Sequence, residues 1–282
     1  MTSFSNRCVL LTGATGGIGA ALARQLDAEG ATLWLVGRDS RRLAALASEL
    51  GRHGINHHRV GDLDLATEAG RARLIDRLYR APYDQRPSTV VHLAGINALG
   101  WFQEAAPEEI SRLVTTNLTA TLLLTHALLP LLLEQPRAQL LFVGSVLGHI
   151  GHPGYAAYGA SKAGLKGFAE ALSREFPPSA IRVQYLAPRT TSTAMNGPTA
   201  KAMNEALGNT ADSPERVAQA IVTQLERGER RRTLGTKERL FCLINSLFPT
   251  LVDRGIAKSL PEIDRHLSRS PAPATSDSHP SV

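Results

Sequence analysis

The sequence predicts an α/β fold: a doubly wound parallel sheet flanked by helices on both faces, in one domain with a helical extension at its carboxyl end. Three observations lead there. Short β-rich runs alternate with longer helical patterns. The runs are apolar almost throughout, as strands covered on both faces must be. A glycine-rich turn stands between the first strand and the first helix.

Taken in order, the strands are expected at Cys8 to Thr12, Thr32 to Val36, a weaker one around Asn56 to Val60, Thr89 to Leu93, Leu140 to Val143 and Ile181 to Leu186. Helices fill the gaps, among them Ala20 to Ala28, Arg41 to Leu50, and Ser213 to Arg227, whose Ser-Pro-Glu start reads as a helix amino terminus. Residues 1–236 are the expected dinucleotide-binding and catalytic unit, 237–267 a helical extension, and 268–282 a Ser/Pro-rich tail of disordered composition.

Composition narrows the class. With 43% hydrophobic and 20% charged residues the chain is ordinary globular material. The net charge of +6 is spread along the chain, so nucleic acid is not an expected partner. Two cysteines, Cys8 and Cys242, make no disulfide framework and no metal site. The longest apolar run, Leu122 to Leu133, is interrupted by Thr125, His126 and Pro130 and is not expected to span a bilayer. The polar start Met1 to Arg7 has no signal-peptide pattern, so the expected location is cytoplasmic.

The chemistry-bearing motifs begin at Thr12-Gly13-Ala14-Thr15-Gly16-Gly17-Ile18-Gly19. Glycines in a strand-to-helix turn admit a pyrophosphate to the backbone, and the helix start presents unpaired N–H groups. This makes a Rossmann-like dinucleotide site with Gly13, Thr15, Gly17, Ile18 and Gly19 as cofactor contacts. After the second strand comes Gly37-Arg38-Asp39. Arg38 suits a 2′-phosphate and favours NADP. The competing reading makes Asp39 a ribose ligand for NAD; the preferred one makes it the cap of the next helix. Asp62 and Leu63, after the third strand, are candidate adenine-side contacts. Tyr158 and Lys162 stand four apart in a helical stretch, so the ammonium lies beside the phenol and favours its ionisation. Ser145, at the end of the fifth strand, offers a hydroxyl to a carbonyl oxygen.

The order and spacing of TGxxxGxG, Gly37-Arg38, Asn117-Leu118, Ser145 and Tyr158-x-x-x-Lys162 resemble the short-chain dehydrogenase/reductase family over residues 6 to about 235. The resemblance implies that Tyr158 is the general acid in ketone reduction and the base in alcohol oxidation. It implies that Lys162 lowers the phenol pKa and binds the nicotinamide ribose, that Ser145 holds the substrate oxygen, and that Asn117 supports a water-linked proton relay. Ala94-Gly95 would lie near the cofactor, with Pro188 and Thr193 as further cofactor contacts. A dimer or tetramer is the family's usual assembly.

Two departures stand out: His92-Leu93 replaces the family's Asn-Asn before Ala94-Gly95, and Pro188-Arg189 replaces its Pro-Gly. For Arg189 two readings are open, a cofactor or substrate contact and a solvated loop arginine, the second preferred. The glycine turn also lacks the family's basic residue. His149 and His152 read as loop histidines, and no metal is expected. The covering segments, 146–156 and 190–207, favour an apolar carbonyl or alcohol substrate over a sugar. In 237–267, Leu240, Phe241, Leu243, Ile244, Leu247, Phe248, Leu251 and Val252 recur at helical spacing beside basic residues. That face either packs on the domain or a second copy, the preferred reading, or touches a membrane surface. An NADP-dependent ketone reductase is the leading function. The alternatives are a catalytically idle cofactor-binding regulator and an interaction module acting through 237–267.

Overall fold

In a computed structural model the described residues are 4, 5, 7–50, 58–61 and 63–268. Seven strands form one sheet: β1 (Cys8–Thr12), β2 (Thr32–Val36), β3 (His58–Val60), β4 (Thr89–His92), β5 (Ala138–Val143), β6 (Ile181–Ala187) and β7 (Arg231–Thr233). All pair in parallel in the order β3-β2-β1-β4-β5-β6-β7. The order reverses between β1 and β4, so the carboxyl ends of these two strands form the crevice where doubly wound sheets place their ligands.

Strand alternation divides the core into two layers. Val9 and Leu11 of β1 join Leu33, Leu35, Val91 and Leu141 under α1 (Gly17–Ala28), α2 (Ser40–Leu50) and α8 (Pro214–Arg227). Cys8 and Leu10 face the other way, with Trp34, Val90, Leu140 and Phe142, under α3 (Glu68–Arg80), α5 (Ala120–Leu133) and α6 (Ala156–Glu175). Both faces bury apolar side chains, which explains why the strands read as continuous apolar runs.

The helix starts follow local chemistry. Asp39 Oδ1 accepts from the Arg42 N–H at 2.9 Å, so Asp39 caps α2. Ser213 caps α8, accepting from the Arg216 N–H at 3.2 Å, with Pro214 in the first turn.

The run from α4 (Pro107–Val114) through a π turn (Thr115–Thr119) to α5 is long and apolar enough, by length and composition alone, to cross a membrane. Its apolar side is spent on the sheet: Leu124, Leu128, Leu131 and Leu132 lie in the second core layer.

β7 is unforeseen, because it falls within the arginine run that reads as a basic surface. It adds to the sheet edge beside β6, with Arg231 paired to Glu170 at 2.8 Å. Between β6 and α8 lies α7 (Pro198–Ala206), and beyond β7 come α9 (Thr236–Leu247) and α10 (Pro249–Leu267) of the extension. α10 packs inward through Val252, Ile263 and Leu267, whereas α9 buries none of its residues.

His92 fills the place of the family's asparagine with a different support. Its ring is buried, stacks on Phe142 with centroids 5.0 Å apart, and shares a 3.1 Å hydrogen bond with Thr125 Oγ1. Burial pushes its pKa down to about 3. The native state therefore binds fewer protons than the unfolded chain below the usual histidine pKa. This contribution to stability is complete at neutral pH and is lost as pH falls from about 6.5 toward 3. Urea unfolding at about pH 7 and about pH 5 should show the parent losing about 2 kcal/mol more over that interval than His92→Asn. Equal slopes would show that His92 titrates normally in the fold.

Candidate active site

The glycine turn is shaped by close backbone approach. Gly13 has φ +68°, and a Cβ there would lie 2.9 Å from the Ala94 nitrogen. At Gly17 a Cβ would lie 2.7 Å from Thr193 Cγ2, and at Gly19 it would strike the Gly13 carbonyl. The turn is thus pressed between the end of β4 and the Thr193 loop. Gly16 gives α1 no side-chain cap, and no carboxylate stands in its first turn, so its N–H groups suit a phosphate. Thr12 Oγ1 accepts from the N–H groups of both Leu93 and Ala94 at 3.1 Å, restoring support where the family's amides are missing.

A cleft of about 600 Å³ opens at the end of β2, lined by Arg38, Asp64, Ile96, Ser111, Arg112 and Thr116 among others. Two cations the sequence reading passed over appear here. Arg42 reaches over the glycine turn and donates to the Thr15 carbonyl at 2.8 Å, bringing a guanidinium to the turn that lacks its own basic residue. Arg112 comes from α4, and nothing in the sequence signals its arrival. Leu63, expected at the adenine side, has a buried core side chain, leaving only its backbone for a ligand. Asp62 lies outside the described residues.

Ser145, Tyr158, Lys162 and Asn117 gather at the ends of β4 and β5. Ser145 is extended after β5, with its hydroxyl accepting from the Leu147 N–H at 3.1 Å, and Val146 N donates to the Pro188 carbonyl at 3.0 Å. Tyr158 and Lys162 lie one turn apart on α6. Burial pushes the phenol up to about 12, and a hydrogen bond with the Ser145 side chain pulls it partly back. The Lys162 ammonium stands 5.9 Å from the ring centroid and donates to the Val143 carbonyl at 3.1 Å. It lies over the ring face at the outer reach of a cation–π interaction, and burial pushes its own pKa down to about 8. The phenol's hydrogen-bond partner here is therefore Ser145, while the lysine acts on it through space.

Asn117 sits in the π turn, fully buried. Its Oδ1 accepts from Ile96 N at 2.8 Å, and its Nδ2 donates to Ile96 O at 2.9 Å and to Ser161 Oγ at 3.1 Å. Both ends of the amide are thus committed. A Cβ on Gly95 would lie 3.2 Å from Asn117 Oδ1 and 3.6 Å from Lys162 Nζ. Over Tyr158 lies an apolar cluster of Tyr155, Met203, Ile263 and Leu267, with Leu99, Trp101, Leu147 and Leu207 against it. The extension thereby supplies part of the wall beside the phenol. Among the described residues no three His, Cys, Asp or Glu side chains converge as for a metal.

Residues 7–204 match the short chain dehydrogenase family. The chain belongs to that family and is an oxidoreductase acting on CH–OH donors. It is 36% identical over 196 residues to nodulation protein G of Rhizobium meliloti, covering 69% of this chain and 77% of that protein. A 3-oxoacyl-(acyl-carrier-protein) reductase of Aquifex aeolicus is 29% identical over 180 residues, 64% of this chain and 71% of the other. Among solved structures, a short-chain dehydrogenase from Sphingobium yanoikuyae in complex with NADPH superposes with a TM-score of 0.73 at 29% identity, covering 88% of this chain and 96% of that one.

Arg189, where this short-chain dehydrogenase departs from its family, is not a solvated loop residue. It donates to Asp212 Oδ1 at 2.7 Å and to Glu238 Oε1 at 3.4 Å. Asp212 is 1% exposed. The three side chains tie the end of β6, the start of α8 and α9 together, and Gly235, at φ +85°, leaves the room into which the Glu238 carboxylate folds. Arg189→Met would strand the Asp212 carboxylate with only Arg216, at 3.3 Å, beside it. A stability loss of about 3 kcal/mol is expected in urea unfolding. Arg189→Met combined with Asp212→Asn should recover part of that loss, and a single variant as stable as the parent would show that the cluster contributes nothing.

Proposed function

We propose that the chain is an NADP(H)-dependent ketoreductase for an apolar or acyl-chain carbonyl. The observation that carries this is the assembly of Ser145, Tyr158 and Lys162 beneath an apolar wall at the switch point of the sheet. The NADPH complex of a structural relative and the 3-oxoacyl substrate in another relative's name support the same reading.

The residues fit the cofactor. Gly13, Thr15, Gly17, Ile18 and Gly19 would hold the pyrophosphate, Ala94, Gly95, Pro188 and Thr193 would border the nicotinamide, and Arg38, aided by Arg42 and Arg112, would receive a 2′-phosphate. The capping role of Asp39 supports NADP over NAD. When bound, the nicotinamide supplies or accepts the hydride.

The protein's own residues handle orientation and the proton. Ser145 and Tyr158 hydrogen-bond the substrate carbonyl oxygen, and the apolar wall excludes water from it. As the carbonyl carbon gains a hydride, its oxygen gains the Tyr158 proton. The phenolate left behind is held by Ser145 and faces the Lys162 ammonium. Burial raises the phenol to about 12, so at neutral pH it carries the proton that ketone reduction consumes. The committed Asn117 amide fixes the Ile96 backbone, and its main-chain carbonyl, which Thr121 Oγ1 approaches at 3.5 Å, would be the group left to support a relay water.

Tyr158→Phe should lower kcat for ketone reduction by about 10³-fold while NADPH affinity, read by fluorescence, changes less than about two-fold. Arg38→Leu should weaken NADPH binding about ten-fold and leave NADH binding unchanged. Full turnover by Tyr158→Phe, or an equal loss for both cofactors in Arg38→Leu, would overturn the respective assignment.

A further inference from the structure

The helix α9 is amphipathic in the inverted sense. Its polar residues point into the protein: Glu238 pairs with Arg189 at 3.4 Å, and Asn245 Nδ2 donates to the His149 carbonyl at 3.0 Å. Its apolar residues point out. Leu240, Leu243 and Leu247 are 57%, 55% and 61% exposed, and Phe248 at the bend into α10 is 62% exposed. Phe241 and Leu251 extend the same exposed surface. From Leu240 to Val252 the chain carries no charged residue. A surface helix normally shows water its polar side, so this arrangement is stable only against something apolar.

We propose that the α9–α10 bend docks on an anionic lipid bilayer, with Leu240, Leu243, Leu247 and Phe248 entering the acyl boundary. Two features favour a bilayer over a second copy of the chain. Lys237, Arg239, Arg254 and Lys258 flank the apolar stretch, are exposed, and form no ion pair with any described carboxylate. Of the two acidic residues between positions 237 and 258, Glu238 is engaged by Arg189, leaving Asp253. A two-fold contact would set this face against itself and bring like charges together. Anionic headgroups instead give every cation a partner while the stems and apolar side chains enter the interface. The leucines and phenylalanine also lie at a helix–helix bend rather than in a groove, a shape suited to shallow insertion.

The inference concerns a surface away from Tyr158 and does not depend on the reaction proposed above. The test is sedimentation of the full chain with vesicles of phosphatidylcholine alone and of phosphatidylcholine mixed with phosphatidylglycerol. The parent should pellet with the mixed vesicles, less so as salt is raised, and poorly with phosphatidylcholine alone. Leu243→Gln/Leu247→Gln should abolish pelleting. Lys237→Gln and Arg239→Gln should each weaken vesicle affinity about five-fold. Far-UV circular dichroism and a thermal melt check that each variant remains folded. Failure of the parent to pellet with the mixed vesicles, or equal pelleting by the leucine variant, would overturn the proposal. So would a fall in the lipid-free mass of the leucine variant in analytical ultracentrifugation, which would assign this face to a second copy.

Discussion

The organisation of the site depends on one buried cation. Lys162 is 7% exposed, and its ammonium donates to one backbone carbonyl, that of Val143. Removing an ammonium from water with so little compensation is expensive, and the depressed pKa records it. The neighbours are arranged around that constraint. At Gly95 a Cβ would crowd Asn117 Oδ1, at 3.2 Å, and come into contact with Lys162 Nζ, at 3.6 Å. The Asn117 amide, turned inward by the π turn, is spent on Ile96 and Ser161. The remaining attraction for the ammonium is the face of the phenol and any negative charge that develops on it.

The carboxyl extension connects two environments. Through Ile263 and Leu267, α10 completes the apolar cluster over Tyr158, while α9 turns its leucines outward. Arg189 holds the junction by binding Asp212 and Glu238 together. An arginine where the family has glycine is therefore explained by the extension: a chain without α9 would have no Glu238 to bind, and the guanidinium would lose one of its two carboxylates.

Much of this was legible in the sequence, for identifiable reasons. Strands buried on both faces leave unbroken apolar runs, so β1, β2, β4, β5 and β6 were readable, as were the glycine turn and the Tyr158–Lys162 spacing. β7 was not, because an edge strand of arginines makes its hydrogen bonds through the backbone while its side chains read as surface. The roles of Arg42, Arg112 and Arg189 were hidden because each is set by a partner far along the chain: Thr15, the β2-end cleft, and the Asp212–Glu238 pair. Sequence spacing suggested that Lys162 would lower the phenol pKa, whereas burial raises it and Lys162 is not among the groups that shift it. It did not reveal that the phenol's hydrogen-bond partner is Ser145, which depends on how the strand ends are stacked.

The central claim, a buried ammonium weakly satisfied in the free protein, is open to direct measurement. The chain has five lysines, so selective isotopic labelling at lysine Cε or Nζ gives a spectrum in which Lys162 is assigned by Lys162→Arg. In the cofactor-free protein the account predicts that the Lys162 signal titrates near pH 8, well below an ordinary lysine. A Lys162 signal titrating above about 10, like a solvated ammonium, would contradict it.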